Sequence, residues 1–153
     1  MRKAVVFILI VIPMVLSNCS TGNQEKKVKE SGSGNGVIQL TEANFKKNIY
    51  NYDAGKSWEY AGKLPAIIDF YADWCPPCRQ LSPLVEEVAK EYQGKILVYR
   101  VNTDQEKILA QSLGITNLPT LLYIPSEGMP KASMGWIPKD TLVKTINEFL
   151  LTR

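Results

Sequence analysis

The sequence contains no histidine and only three cysteines, Cys19, Cys75 and Cys78. A structural zinc site usually takes four ligands, which are mainly cysteine and histidine side chains. The chain has neither a histidine nor a second Cys-x-x-Cys pair, so it lacks the donors for such a site. We therefore expect no bound metal and no cofactor.

The sequence also has little net charge and no apolar run long enough to cross a membrane. It contains 18 basic and 15 acidic residues, a formal charge of +3, which becomes +1 if Arg2 and Lys3 are removed. A nearly neutral chain gives no electrostatic reason to expect a nucleic-acid partner. The most apolar stretch, residues 4–16, is interrupted by Pro13 and is shorter than the roughly 20 residues of a spanning helix.

The N-terminus instead has the layout of a secretory signal. A positively charged start precedes a short apolar core, which is the order typical of export. Cys19 ends a stretch that resembles the lipobox of bacterial lipoproteins, although Asn18 replaces the small residue usual there. We expect a signal in residues 1–19, followed by either lipid attachment at Cys19 or simple cleavage. The short core disfavours the alternative of a permanent membrane helix.

The rest of the chain divides into a linker and a single α/β domain. Residues 20–36 are polar and lack apolar periodicity, so they cannot bury enough surface to offset the entropy of ordering, and we expect a flexible linker there. Over residues 37–153 the patterns predict the order β-α-β-α-β-α-β-β-α. This order implies a mixed sheet, parallel at its centre and antiparallel at one edge, with helices on both faces. The loop over residues 51–63 is long and shows no recognisable chemistry.

The most informative stretch is an apolar segment that leads into Cys75-Pro76-Pro77-Cys78. Residues 64–72 are typical of a strand buried on both faces, and apolar residues recur at helical spacing from Pro76 onwards. Cys75 therefore lies at a helix start, where free backbone N–H groups favour a thiolate. This arrangement is typical of thiol–disulfide chemistry. The alternative is an inert structural disulfide, which would stabilise little because it closes so short a loop.

Two further residues stand out. Asp69 interrupts the apolar strand, and such a local conflict is expected at functional sites. Strand alternation places Asp69 on one face with Tyr71 and Asp73. With a raised pKa, Asp69 could relay the proton of Cys78; the alternative is that it only hydrogen-bonds the turn. Pro119 follows a turn at the head of a strand and is a candidate for a cis peptide bond.

The chain closely resembles the thioredoxin family over residues 37–150. The resemblance is carried, in order, by Ile68-Asp69-Phe70-Tyr71-Ala72-Asp73-Trp74-Cys75-Pro76-Pro77-Cys78, Pro83, Val101-Asn102-Thr103-Asp104, Gly114-Ile115, Leu118-Pro119-Thr120 and Gly135. It implies the thioredoxin fold, with Cys75 as the attacking cysteine, Cys78 as the resolving cysteine and Asp69 as the buried acid.

The resemblance also implies a substrate-binding surface. Pro119 would be the family's cis-proline, and the residue before it, Leu118, would pair with the backbone of a bound peptide. The apolar surface around an exposed sulfur would be lined by Trp74, Pro76, Leu118, Gly135 and Trp136.

Three positions depart from the family pattern. Pro76 replaces the usual glycine between the cysteines and so affects the reduction potential. Arg100 replaces the usual lysine near the buried acid and so affects the coupling at Asp69. Trp136 is bulkier than the usual residue beside Gly135 and so affects substrate choice.

The function that the resemblance implies is reduction of protein disulfides in the bacterial periplasm by a monomer. Its partners would be disulfide-containing proteins and a membrane thiol-transferring electron donor. Three alternatives remain open at this point. The chain could be an oxidant that donates its disulfide, or a dedicated apocytochrome c thiol reductase, although the central insertion usual there is absent. It could also be a binding module that uses Trp74 and Trp136 without turnover.

Overall fold

The computed structural model of this chain describes residues 36–152. The predicted signal in residues 1–19, the lipid-attachment site at Cys19 and nearly all of the linker 20–36 lie outside the described residues and stay predictions. Within the described range no helix is both long enough and apolar enough to cross a membrane.

Five strands form one mixed sheet. They are β1 (Val37–Gln39), β2 (Ala66–Tyr71), β3 (Leu97–Asn102), β4 (Thr120–Ile124) and β5 (Lys131–Met134), in the spatial order β1-β3-β2-β4-β5. Strand β3 is parallel to β1 and to β2, whereas β4 is antiparallel to β2 and to β5. The predicted parallel centre and antiparallel edge are therefore confirmed.

The α-helices are α1 (Glu42–Asn48), α2 (Pro76–Glu91), α3 (Lys107–Ser112) and α4 (Lys139–Thr145), and a π-helical turn, Ile146–Leu150, continues α4. A short 3-10 helix, Tyr52–Ala54, lies within the long loop between α1 and β2. The predicted order of strands and α-helices is confirmed. Each face of the sheet carries its own apolar cluster. Side chains of α2 and α4 pack on one face, and side chains of α1 and α3 pack on the other.

Strand β2 lies in the middle of the sheet, and its side chains divide between the two clusters. Ile67 belongs to the cluster with α2, and Ile68 and Phe70 belong to the opposite one. This alternation, which follows from the two-residue period of a strand, turns Asp69 toward the α2 side. The single acid of the apolar run is thus held under the helix that the Cys-x-x-Cys pair begins.

The start of α2 accommodates two prolines. Cys75 is the N-cap, and Pro76 and Pro77 occupy the first two helical positions. The first N–H groups of a helix have no partner within it, so prolines there lose no hydrogen bond. The helix then runs unbroken through Pro83 to Glu91.

Candidate active site

Cys75 and Cys78 form a disulfide where β2 passes into α2. The two sulfur atoms are 2.04 Å apart, and the two Cα atoms are 5.3 Å apart. The backbone N–H of Cys78 points at the Cys75 sulfur, with 3.2 Å between nitrogen and Sγ. The structure therefore represents the oxidised chain, and the first helical turn directs an N–H donor at the sulfur of Cys75.

The sulfur of Cys75 is less exposed than the sequence predicts. Cys75 is only 2% exposed and Cys78 only 1%, and both pack with Ala72, against Tyr71 and Leu118. The expectation of an exposed sulfur is therefore wrong for the oxidised chain, because neighbouring apolar side chains cover the disulfide. Cys75 is instead part of the wall of a cleft of about 390 Å³.

The cleft brings together some of the predicted substrate-binding residues. Trp74, Pro76 and Leu118 line it with Cys75, whereas Pro119, Gly135 and Trp136 do not. Five lining residues were not singled out for the site by sequence reasoning: Pro77, Thr103, Ile115, Thr116 and Asn117. Three of these, Ile115, Thr116 and Asn117, directly precede Leu118 in the chain. Their position next to Leu118-Pro119 was the signal in the sequence that could have identified them.

The predicted residues that do not line the cleft are connected to it by the backbone of the Leu118–Pro119 segment. The Leu118–Pro119 peptide bond is cis, as predicted. The N–H of Gly135 donates to the Pro119 carbonyl at 2.8 Å. Gly135 has a φ of +84°, a left-handed conformation that favours glycine. Trp136 follows with 48% of its surface exposed.

A polar network fixes Trp74 on one side of the cleft. The indole Nε1–H donates to Asp104 Oδ2 at 2.9 Å, although 66% of the side chain is exposed. The backbone N–H of Asp104 donates to Asn102 Oδ1 at 3.0 Å, and Asn102 Nδ2 donates to Asp73 Oδ2 at 3.2 Å. These bonds connect the carboxyl ends of β2 and β3, which orients the tryptophan beside the disulfide.

Asp69 is the most buried charged residue of the site, with 1% of its surface exposed. It pairs with Arg100 across β2 and β3, and Arg100 Nε donates to Asp69 Oδ2 at 3.1 Å. Burial raises the pKa of Asp69 to about 6, and the nearby positive charge of Arg100 opposes the rise. The other oxygen, Oδ1, has no hydrogen-bond partner among residues 36–152. A carboxyl group with this pKa exchanges a proton close to neutral pH.

Arg100 connects Asp69 to the helix that carries Cys78. Its Nη2 donates to Ser82 Oγ at 2.8 Å, and its guanidinium lies 4.0 Å from the centre of the Tyr71 ring. The Ser82 hydroxyl in turn donates to the carbonyl of Cys78 at 2.9 Å. Sequence reasoning anticipated an effect of Arg100 at Asp69 but missed Ser82. Nothing in the sequence marks a serine in the middle of a helix as a partner of an arginine on a distant strand.

Comparison with known proteins gives one consistent result. The family model for thioredoxin matches residues 36–148. The chain is 43% identical to a thioredoxin of Borreliella burgdorferi over 113 residues, which are 74% of this chain and 97% of that protein. It is 38% identical to a thioredoxin of Porphyra purpurea over 114 residues, again 74% of this chain and 97% of that protein.

A solved structure shows the same similarity in three dimensions. The crystal structure of chloroplastic thioredoxin z matches with a TM-score of 0.61 at 25% sequence identity. The match covers 72% of this chain and 90% of that chain.

Proposed function

This chain belongs to the thioredoxin family and is a thiol–disulfide oxidoreductase that acts on disulfide-containing proteins; from that premise we propose that it reduces protein disulfides outside the cytoplasm, in the periplasm. The observation that carries the proposal is the Cys75–Cys78 disulfide at the start of α2, beside a cleft. The secretory layout of the N-terminus supports the compartment, and Cys19 would attach the chain to a membrane.

The reaction proceeds through two exchanges. The Cys75 thiolate attacks one sulfur of a substrate disulfide, so that a Cys75–substrate bond forms and the substrate bond breaks. The Cys78 thiolate then attacks the Cys75 sulfur, which restores the Cys75–Cys78 bond and releases the second substrate sulfur. Two electrons pass from the cysteine pair to the substrate, and each released thiolate takes up a proton.

The geometry supports these roles for the two cysteines. The Cys75 sulfur accepts the Cys78 N–H at 3.2 Å, and this contact together with the helix N-terminus favours the thiolate. Cys75 also lines the cleft, whereas Cys78 does not. Asp69, with its pKa raised to about 6 by burial, is ionised at neutral pH and so is able to take the proton of Cys78.

The chain must be re-reduced after each cycle. We propose a membrane thiol-transferring protein as the electron donor, because an exported chain has no access to cytoplasmic reductants. Lipid attachment at Cys19 would hold the chain at the same surface as this donor.

Trapping of mixed disulfides tests direction and compartment together. The Cys78→Ser variant of the full chain retains the attacking cysteine but cannot resolve the intermediate, so it should accumulate covalent adducts with periplasmic proteins. Cys75→Ser is the matched control and should accumulate none by this route. No adducts from Cys78→Ser would contradict the mechanism, and adducts with cytoplasmic proteins alone would contradict the compartment.

The residue between the cysteines bears on one alternative, a chain that donates its disulfide. Pro76 stands where the family usually has glycine, and this position affects the reduction potential. We expect an equilibrium potential near the value of about −270 mV that is typical of thioredoxin, whereas a value near about −120 mV would identify an oxidant.

A further inference from the structure

A second groove, of about 310 Å³, lies on one face of the β4–β5 edge of the sheet. Its floor includes Thr120, Leu122, Ala132 and Met134. Thr120 is paired with Met134 and Leu122 with Ala132, so these side chains lie on the same face of the sheet. Met134 is 64% exposed, and Ala132 is exposed as well. No charged side chain is among the described residues that line the groove.

The long loop over residues 51–63 supplies one wall of this groove. Trp58 and Tyr50 line it together, with their ring centres 4.9 Å apart. The indole Nε1–H of Trp58 donates to the carbonyl of Gly128 at 3.1 Å, in the turn between β4 and β5. The Tyr50 hydroxyl donates to the carbonyl of Lys56 at 2.7 Å. Both aromatic rings are thus anchored by their polar ends, while their apolar surfaces face the groove.

The groove is adjacent to the cleft beside Cys75 and shares two lining residues with it. Ile115 and Thr116 line both, and they lie just before Leu118, which lines the cleft. A polypeptide whose disulfide reaches Cys75 therefore has neighbouring residues within reach of the groove, since an extended chain advances about 3.3 Å per residue.

We propose that this groove binds an apolar side chain of the protein substrate, a few residues from its reactive cysteine. The proposal rests on the function proposed above and adds a substrate preference to it. An apolar cavity of about 150 Å³ is enough to hold benzene, so the groove has room for a leucine or an aromatic side chain. The uncharged lining gives a charged side chain no partner, which would leave it desolvated.

A second copy of the chain fits the groove less well. A stable dimer typically needs about 800 Å² of surface from each partner. A groove that holds one or two side chains is much smaller than such an interface.

Filling the groove tests the proposal. Ala132→Trp places a large ring on its floor, and Ala43→Trp, at an exposed position of α1 outside the groove, is the matched control. The fully reduced full chain is mixed with disulfide-bonded peptides that carry leucine or serine at each of several positions flanking the cysteine. The second-order rate constant for formation of the Cys75–Cys78 disulfide is measured by quenching with acid and alkylating the remaining thiols. Hydroxyethyl disulfide, which has no flanking residues to place in the groove, reports on the cleft alone.

We expect the peptide with leucine at the best position to react about tenfold faster than the peptide with serine there, both with the wild type and with Ala43→Trp. With Ala132→Trp this ratio should fall to about one. A wild type without the preference, or a preference that survives Ala132→Trp, would overturn the proposal. An equal loss with hydroxyethyl disulfide would place the effect in the cleft and overturn it too.

Two further outcomes identify other errors. A wild-type dimer in sedimentation that Ala132→Trp converts to a monomer would show that a second copy occupies the groove. A reduced wild type that reacts with none of the disulfides would instead contradict the proposed function, independently of the groove.

Discussion

Replacing Asp69 with asparagine should change how the stability of the oxidised chain depends on pH. Asp69 is almost fully buried, and burial raises its pKa from 3.8 to about 6. Between these values the folded chain keeps a proton that the unfolded chain has released. The free energy of unfolding of the wild type therefore falls as the pH rises through this window, whereas Asp69→Asn lacks this contribution.

The size of the effect follows from the difference between the two pKa values. A rise from 3.8 to about 6 corresponds to about 3 kcal/mol. Relative to the wild type, Asp69→Asn should therefore gain about 3 kcal/mol in free energy of unfolding between about pH 3.5 and pH 7. Any cost of the substitution that does not depend on pH, such as a weaker contact with Arg100, cancels in this comparison.

Urea unfolding of both oxidised chains across this pH range measures the effect. The disulfide removes the two active-site thiols from the titration, which isolates the carboxyl group. Asp140→Asn, at an exposed position in the first turn of α4, controls for the loss of one carboxylate. A difference between wild type and Asp69→Asn that stays constant with pH would refute the reasoning, because it would show that Arg100 fully offsets the cost of burying the charge.

Two further substitutions test the packing around the site. Ser82→Ala removes the acceptor of the Arg100 Nη2–H, so it should lower the free energy of unfolding by about 1.5 to 3 kcal/mol in urea unfolding. Ser82→Thr retains a hydroxyl and should lose less. Equal losses in the two variants would contradict a role for the hydroxyl. Leu81→Ala empties a fully buried position on α2 and should cost about 2 to 5 kcal/mol by the same assay. The exposed neighbour Gln80→Ala should change it by less than about 0.5 kcal/mol, and a similar cost for both would contradict the assigned packing.

The fold was predictable because its signals are local. The apolar run of β2, the helical spacing after Pro76 and the polar cap of α1 each depend on a few adjacent residues. Thr41 is the N-cap of α1, and its Oγ1 accepts the N–H of Asn44 at 3.3 Å. The alternation that places Asp69 opposite Phe70 is a consequence of strand geometry alone, and the structure confirms it.

The parts of the site that sequence reasoning missed depend on distant contacts. Ser82 and Arg100 meet across 18 positions, and Trp58 reaches Gly128 across 70. Periodicity and motif spacing carry no information about which side chains meet across such separations. The burial of Cys75 was also missed. The family resemblance places Leu118 beside the sulfur, but it does not show how closely Leu118 and Tyr71 pack against the disulfide. The loop over residues 51–63 showed no chemistry in the sequence because its role depends on a surface formed by β4 and β5.

Arg100 supports the acid in the centre of the apolar strand β2 with contacts that a lysine would not reproduce. A guanidinium is planar and has several donors, so Arg100 binds Asp69 with Nε and Ser82 with Nη2 while its plane lies over Tyr71. A lysine ammonium is a single charged point and could not hold this arrangement. The pairing lowers the cost of the buried carboxylate without removing it, because burial still raises the pKa of Asp69 to about 6. The remaining cost keeps the proton of Asp69 exchangeable near neutral pH, which a fully compensated ion pair would not do.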